Sequence, residues 1–177
     1  GTVASGDSDE FRRRDGASFP VEYSSTPVHE GQNLIGSVVV FRDITTRAQA
    51  EAARTRQLRQ TALRADVAFA LAGGETLRPF LGRSMLALVK HLEGAFARVW
   101  TLNAADKMLE LQASAGIYAH INGQHSRIPL GTLKVGKVAQ SRMPQVSSNL
   151  LADPDILDKE WVARERMVAF VGYPLIV

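Results

Sequence analysis

The pattern of hydrophobic and polar positions over the first 42 residues reads as strands. Phe19, Val21 and Tyr23 alternate with polar neighbours within residues 18–28, and Leu34-Ile35-Gly36-Ser37-Val38-Val39-Val40-Phe41 forms a β-branched run. The period of two in the first stretch turns one face inward and the β-branched residues of the second suit a sheet, so both are predicted strands, the second a central one. Phe11-Arg12-Arg13-Arg14 leads into Asp15-Gly16, a dipeptide expected to make a hairpin turn with positive φ at both central positions. A second turn is expected at His29-Glu30-Gly31-Gln32-Asn33. Three antiparallel strands result, burying one face, and no helix in this segment can cover it.

At Asp43-Ile44-Thr45 the period changes. Asp43 or Thr45 can cap a helix, and residues 46–72 are rich in Ala, Arg, Gln, Glu and Leu, all good helix formers. A heptad seam can be traced through Ile44, Ala48, Glu51, Thr55, Leu58, Ala62, Ala65, Phe69 and Ala72. Seven of these nine are apolar but mostly alanine, which leaves two readings open: a two-stranded coiled coil, or one helix lying on its own domain. Packing on the domain is favoured after Leu63. Gly73-Gly74 ends the helix. Leu77, Phe80, Leu81, Met85, Leu88, Val89 and Leu92 then mark the buried stripe of a second helix over 76–92.

Beyond it, residues 95–102 and 108–113 are expected to pair as a hairpin around Asn103-Ala104-Ala105-Asp106-Lys107. Residues 116–124 are ambiguous. Short helices are expected over 132–140 and 158–165, a short strand at Gln145-Val146-Ser147, a loop over 149–154, and a strand through 169–177.

Composition narrows the classes. The chain has 177 residues, 45% hydrophobic and 22% charged, enough for one medium or two small folded domains. Mean hydropathy is -0.07, no apolar run approaches a membrane span, and Gly1-Thr2-Val3-Ala4-Ser5 has no signal-peptide character. Cytoplasm is the default expectation. Cysteine is absent, which excludes disulfides, thiol nucleophiles, thiolate metal sites and cysteine-linked cofactors. The net charge of +3 equals that of the stretch from Arg42 to Asp66. Its arginines are spread around a polar helix, so they describe a solvated face rather than a nucleic-acid surface.

No familiar catalytic signature occurs. Gly131-Thr132-Leu133-Lys134-Val135-Gly136-Lys137 resembles a phosphate loop only superficially, because its spacing differs and its Leu and Val suit a packed helix. His29, His91, His120 and His125 are too scattered for a metal site. His120 and His125 flank Asn122-Gly123 and read as loop histidines; a haem-type ligand there is the alternative, and haem is not expected. Asp153, Asp155, Asp158 and Glu160 read as turn and cap residues.

The residues assembled so far carry two family resemblances. Glu10-Phe11-Arg12-Arg13-Arg14-Asp15-Gly16 through Tyr23, with Gly36-Ser37-Val38-Val39-Val40-Phe41-Arg42-Asp43-Ile44-Thr45, resembles the C-terminal half of a PAS domain. The Asp-Ile-Thr triplet is its most specific element. From about Leu63 the chain is similar to a GAF domain, through Ala97-Arg98-Val99-Trp100, Ile128-Pro129-Leu130-Gly131, residues 134–140, Asp158-Lys159-Glu160-Trp161 and Met167 to Leu175. The resemblances imply an α+β fold. Residues 1–44 would be the end of a PAS domain with an antiparallel sheet, 45–62 a signalling linker helix, and 63–177 a GAF-type α/β sandwich with an antiparallel sheet, lacking its last elements.

They also imply a function. The chain would be the sensory and relay region of a signal-transduction protein, most often a sensor histidine kinase, with Asp43, Ile44 and Thr45 as signal junction. It would form a homodimer through the linker helix, with an output domain after Val177 and no catalysis of its own. By position in the GAF fold, pocket-lining candidates are Trp100, Leu111, Ile128, Leu133, Val138, Met167 and Phe170, each of which also suits an ordinary core. The Asn-Lys…Phe…Asp-Glu pattern of cyclic-nucleotide-binding GAF domains is not found, and bilin attachment lacks its cysteine. A small non-covalent ligand in an apolar cleft is therefore expected if anything binds, with neither metal nor covalent cofactor. Alternatives are the sensor region of a transcriptional regulator, diguanylate cyclase or phosphatase, or a dimerisation module without ligand.

Overall fold

A computed structural model describes residues 4–73 and 76–176. The predicted stop at Gly74 and the terminal positions Gly1–Val3 and Val177 lie outside them. Among the described residues the architecture is α+β with antiparallel sheets. The chain divides into two compact units, Gly1–Arg59 and Gln60–Val177.

In the first unit, β1 (Ala4–Arg12), β2 (Ser18–Glu30) and β3 (Asn33–Asp43) form a meander with β2 in the centre. β3, expected in the centre, is an edge strand in this sheet, and all its residues are exposed. A β-branched run reports strand propensity, whereas neighbours are set by topology. The first hairpin also differs from expectation. Only Gly16 has positive φ, at 88°; Gly16 N–H bonds Arg13 C=O and Arg13 N–H bonds Ala17 C=O. This is a type I turn closed by a glycine bulge, which needs one left-handed residue rather than two. The second hairpin turns at Gly31-Gln32, with Gly31 supplying φ 60°.

α1 (Thr45–Ala72) is one continuous helix. Along it only Ala70 is buried, while Leu58 and Phe69 are 61% and 77% exposed. Within the second unit its last turns meet α2 (Leu77–Leu92). Asp66 accepts from His91 Nε2 at 2.7 Å and from Lys90 Nζ at 3.3 Å, and Arg83 donates to the Ala70 carbonyl. Packing on the domain after Leu63 is therefore partly realised. The α2 stripe is narrower than its sequence suggests. Leu81, Ser84, Met85 and Ala87 are buried, whereas Leu77 and Leu92 at the ends are exposed. Ser84 sits on the buried side because its hydroxyl bonds the Phe80 carbonyl at 2.9 Å.

β4 (Phe96–Asn103), β5 (Met108–Gly116) and β6 (Arg127–Pro129) form the second sheet, in that order. β6 was not apparent in the sequence, since three residues ending in proline carry no period. α2 covers one face of this sheet, where Leu81, Met85, Val99, Ala113 and Ala115 make the core. α3 (Leu133–Ser141) follows β6; then β7 (Gln145–Ser147), α4 (Lys159–Arg164) and β8 (Phe170–Gly172) complete the unit, with β7 and β8 paired antiparallel. The strand expected over 169–177 is confined to these three residues, because only they face a pairing partner in β7.

Candidate functional site

At the end of the first sheet, Asp43 organises the entry to α1. One carboxylate oxygen accepts from the Thr45 N–H at 2.9 Å and from the Thr45 hydroxyl at 2.5 Å; the other pairs with Arg13. These bonds, those from Thr45 first and then that from Arg13, hold the Asp43 carboxyl down at about 2. Ile44 is buried, donates its N–H to the Pro20 carbonyl, and accepts from Ala48 N–H to close the first helical turn. Backbone and side-chain bonds thus tie Asp43-Ile44-Thr45 to both sheet and helix.

In the second unit the candidate site lies on the sheet face opposite α2, and a bulge creates that face. Val99 lies opposite Ala113 but Trp100 lies opposite Leu111, so Gln112 is an extra residue in β5. Without that bulge, in a regular strand that still contains Gln112, Leu109, Leu111, Ala113 and Ala115 would share one side. With it, Ala113 and Ala115 face α2, while Leu111 joins Trp100 and Leu109 joins Ile128 on the other side. Gln112 itself bridges Thr101 Oγ1, at 2.8 Å, and Arg78 Nε, at 3.0 Å.

α3 returns close to β6 because glycines permit it. A Cβ on Gly136 would lie 2.6 Å from the Pro129 carbonyl oxygen, and Gly131, at φ 83°, supplies the turn. Lys134 and Asp153 form a pair at 2.7 Å, their side chains only 9% and 10% exposed. Lys137 reaches Asp155 at 2.5 Å. Hydrogen bonds from Lys134, the Ser147 hydroxyl and the Asp155 backbone hold the Asp153 carboxyl at about 2. Both lysines of the apparent phosphate loop are therefore engaged by carboxylates. Asp158 caps α4 by accepting from Trp161 N–H at 2.8 Å, a cap role anticipated in the sequence. The role of Asp153 as partner of a buried lysine was not anticipated, because a turn aspartate and a helix lysine carry no local signal of pairing.

The candidate pocket residues are placed as follows. Leu111, Ile128 and Val138 are buried. Trp100 is half-buried and donates its indole N–H to the His125 carbonyl at 3.0 Å. Leu133 is half-buried at the start of α3, with φ 50°. Phe170 has its ring 5.8 Å from Lys134 Nζ; a Cβ on Gly172 would lie 2.8 Å from the Phe170 ring and 3.1 Å from Val138, so both side chains close around that glycine. Met167 lies apart, bordering a recess of about 280 Å³ with residues 148–151 and Val168.

Beside Trp100 stands a cluster that pattern reading missed. Phe96, Tyr118 and Trp161 have ring centroids 5.8–6.0 Å apart, and the Trp161 indole donates to the Tyr118 hydroxyl at 2.8 Å. The Arg98 guanidinium carbon lies 5.2 Å from the Phe96 ring and 5.5 Å from that of Tyr118. His125 is half-buried; burial first, and then the Arg98 charge, lower its pKa. His120 is exposed, 6.2 Å from the Tyr118 ring. Among the described residues no group of three His, Asp or Glu is placed to hold a metal ion.

The chain matches no family model and no curated protein sequence. About 69% of it shares the fold of GAF domains. It is similar to the GAF domain of A. aeolicus Nlh2 in an inactive state, with TM-score 0.58 and 18% identity over 69% of this chain and 74% of that one. It is also similar to the GAF domain of a phosphoenolpyruvate-protein phosphotransferase from Coxiella burnetii, with TM-score 0.59 and 17% identity over 69% and 71%. A third similar structure is free methionine-R-sulfoxide reductase from Neisseria meningitidis in complex with its substrate, with TM-score 0.55 and 16% identity over 69% and 67%. No helix among the described residues is long and apolar enough to cross a membrane.

Proposed function

We propose that the chain is a sensory and relay region of a signal-transduction protein, in which 63–177 is a GAF domain, 45–62 a signalling helix and 1–44 the end of a PAS domain. The observation that carries this reading is the tied Asp43-Ile44-Thr45 junction, through which the helix α1 leaves β3. A helix whose first turn is bonded to a sheet follows a shift of that sheet between two states. Its seam keeps Leu58 and Phe69 exposed, and pairing with a second copy would cover them. The chain performs no catalysis in this reading, holds no metal, haem or covalent cofactor, and acts in the cytoplasm on an output domain such as a histidine kinase.

Light scattering on the full chain tests it. A dimer at high micromolar concentration, weakened by Leu58→Glu, is the expected result. A monomer under those conditions refutes the relay through paired helices.

A further inference from the structure

We propose that Arg98 anchors a binding site for a small aromatic carboxylate, flanked by the rings of Phe96, Tyr118 and Trp161. The proposal rests on the reading of this unit as a sensory module and assigns its ligand a chemical class.

Arg98 projects from β4 opposite Ser114 of β5, and its Nε donates to the Ser114 hydroxyl at 3.1 Å. Ser114 in turn donates to the Tyr118 carbonyl. The two terminal nitrogens of Arg98, with four N–H donors, meet no acceptor among the described residues, and no carboxylate there pairs with it. Burial lowers the pKa of this guanidinium, so the site makes its charge costly without supplying a counter-ion. The Phe96 and Tyr118 rings attract the cation, but a ring face is a weak acceptor for a guanidinium fork. A carboxylate fits that fork with two parallel hydrogen bonds.

The surroundings select the rest of the ligand. Phe96, Tyr118 and Trp161 are half-buried and pack at edge-to-face and tilted angles, so a flat ring extends a cluster already built from such contacts. The Tyr118 hydroxyl accepts from Trp161 and keeps its own proton to donate. Burial first, and then the Arg98 charge, lower the His125 pKa against the opposing Asp158 carboxylate, which disfavours a second cation here. The Asp158 carboxylate nearby is already bonded to the Trp161 backbone N–H, so one cation among three rings suits a singly charged aromatic acid better than a phosphate.

The test is titration of the full chain with benzoate, benzamide and inorganic phosphate, read by tryptophan fluorescence and by the indole N–H signals in NMR spectra. Benzoate is expected to bind saturably and to shift the Trp161 signal, with benzamide and phosphate at least tenfold weaker. Arg98→Gln should weaken benzoate at least tenfold, and Arg98→Lys several-fold, because it keeps the charge and loses the fork. Arg78→Gln, on the opposite face, should bind as the parent does. Benzamide binding as tightly as benzoate overturns the anion assignment, and phosphate binding as tightly overturns the aromatic one. No saturable benzoate response, or one unchanged in the folded Arg98 variants, leaves Arg98 a hydrated packing residue and overturns the proposal. These failures are distinct from a monomer in light scattering, which refutes the relay itself.

Discussion

Gly136 shows at the scale of one residue how packing can outweigh propensity. In a helix interior, alanine is favoured over glycine by about 1 kcal/mol. Here the added Cβ would stand 2.6 Å from the Pro129 carbonyl oxygen and 3.1 Å from Gly131 N, both backbone atoms unable to yield cheaply. Gly136→Ala is therefore expected to destabilise by about 1–3 kcal/mol net, read as a lower denaturation midpoint in urea. Asp43 and Asp153 give a pH prediction. Each carboxyl is held at about 2, below its ordinary value near 4. A depressed pKa stabilises the fold above the ordinary value and loses that contribution as pH falls from about 4 toward 2. The melting temperature should drop over that window, and less steeply in Asp153→Asn, whose starting stability is already lower.

Between residue and molecule, the bulge in β5 and the junction into α1 are the decisive elements. Deleting Gln112 would restore regular pairing between β4 and β5 and leave Leu111 opposite Trp100 and Ala113 opposite Val99, so both faces of β5 keep their residues. The expected outcome is a folded protein that keeps its cooperative unfolding transition and its near-ultraviolet circular dichroism. Gln112→Ala, which keeps the extra residue, should remain folded with a cost of about 1 kcal/mol for its lost hydrogen bonds. At the junction, Asp43→Ala removes the acceptor for Thr45 N–H and the partner of Arg13. Its expected effect is fraying of the first turn of α1, visible as faster amide exchange at Thr45 through Ala48.

For the molecule as a whole, the proposed reading assigns it no covalent or metal chemistry: cysteine is absent, and Lys134, Lys137 and Asp153 are engaged in ion pairs. Protein purified from its native host is expected to carry no stoichiometric metal and no Soret band. A Soret band lost in His120→Ala or His125→Ala would instead establish a haem-type sensor.

What the sequence determined by itself was the series of local elements: the three strands before Asp43, one by its two-residue period and one by its β-branched run, the helix-forming run after Asp43, the α2 stripe, the hairpin at Asn103-Lys107 and the cap at Asp158. Each depends on neighbours a few residues away, and side-chain period, capping chemistry and turn preference encode such neighbours directly. Partnership was decided only by the tertiary structure. It made β3 an edge strand, reduced the last apolar run to Phe170–Gly172, divided the buried residues of β5 between two faces, joined Lys134 to Asp153, and gathered Arg98 with Phe96, Tyr118 and Trp161. The physical reason is register. One extra residue in a strand changes which side chains meet across a sheet, and pairing between distant segments leaves no periodic trace in either one.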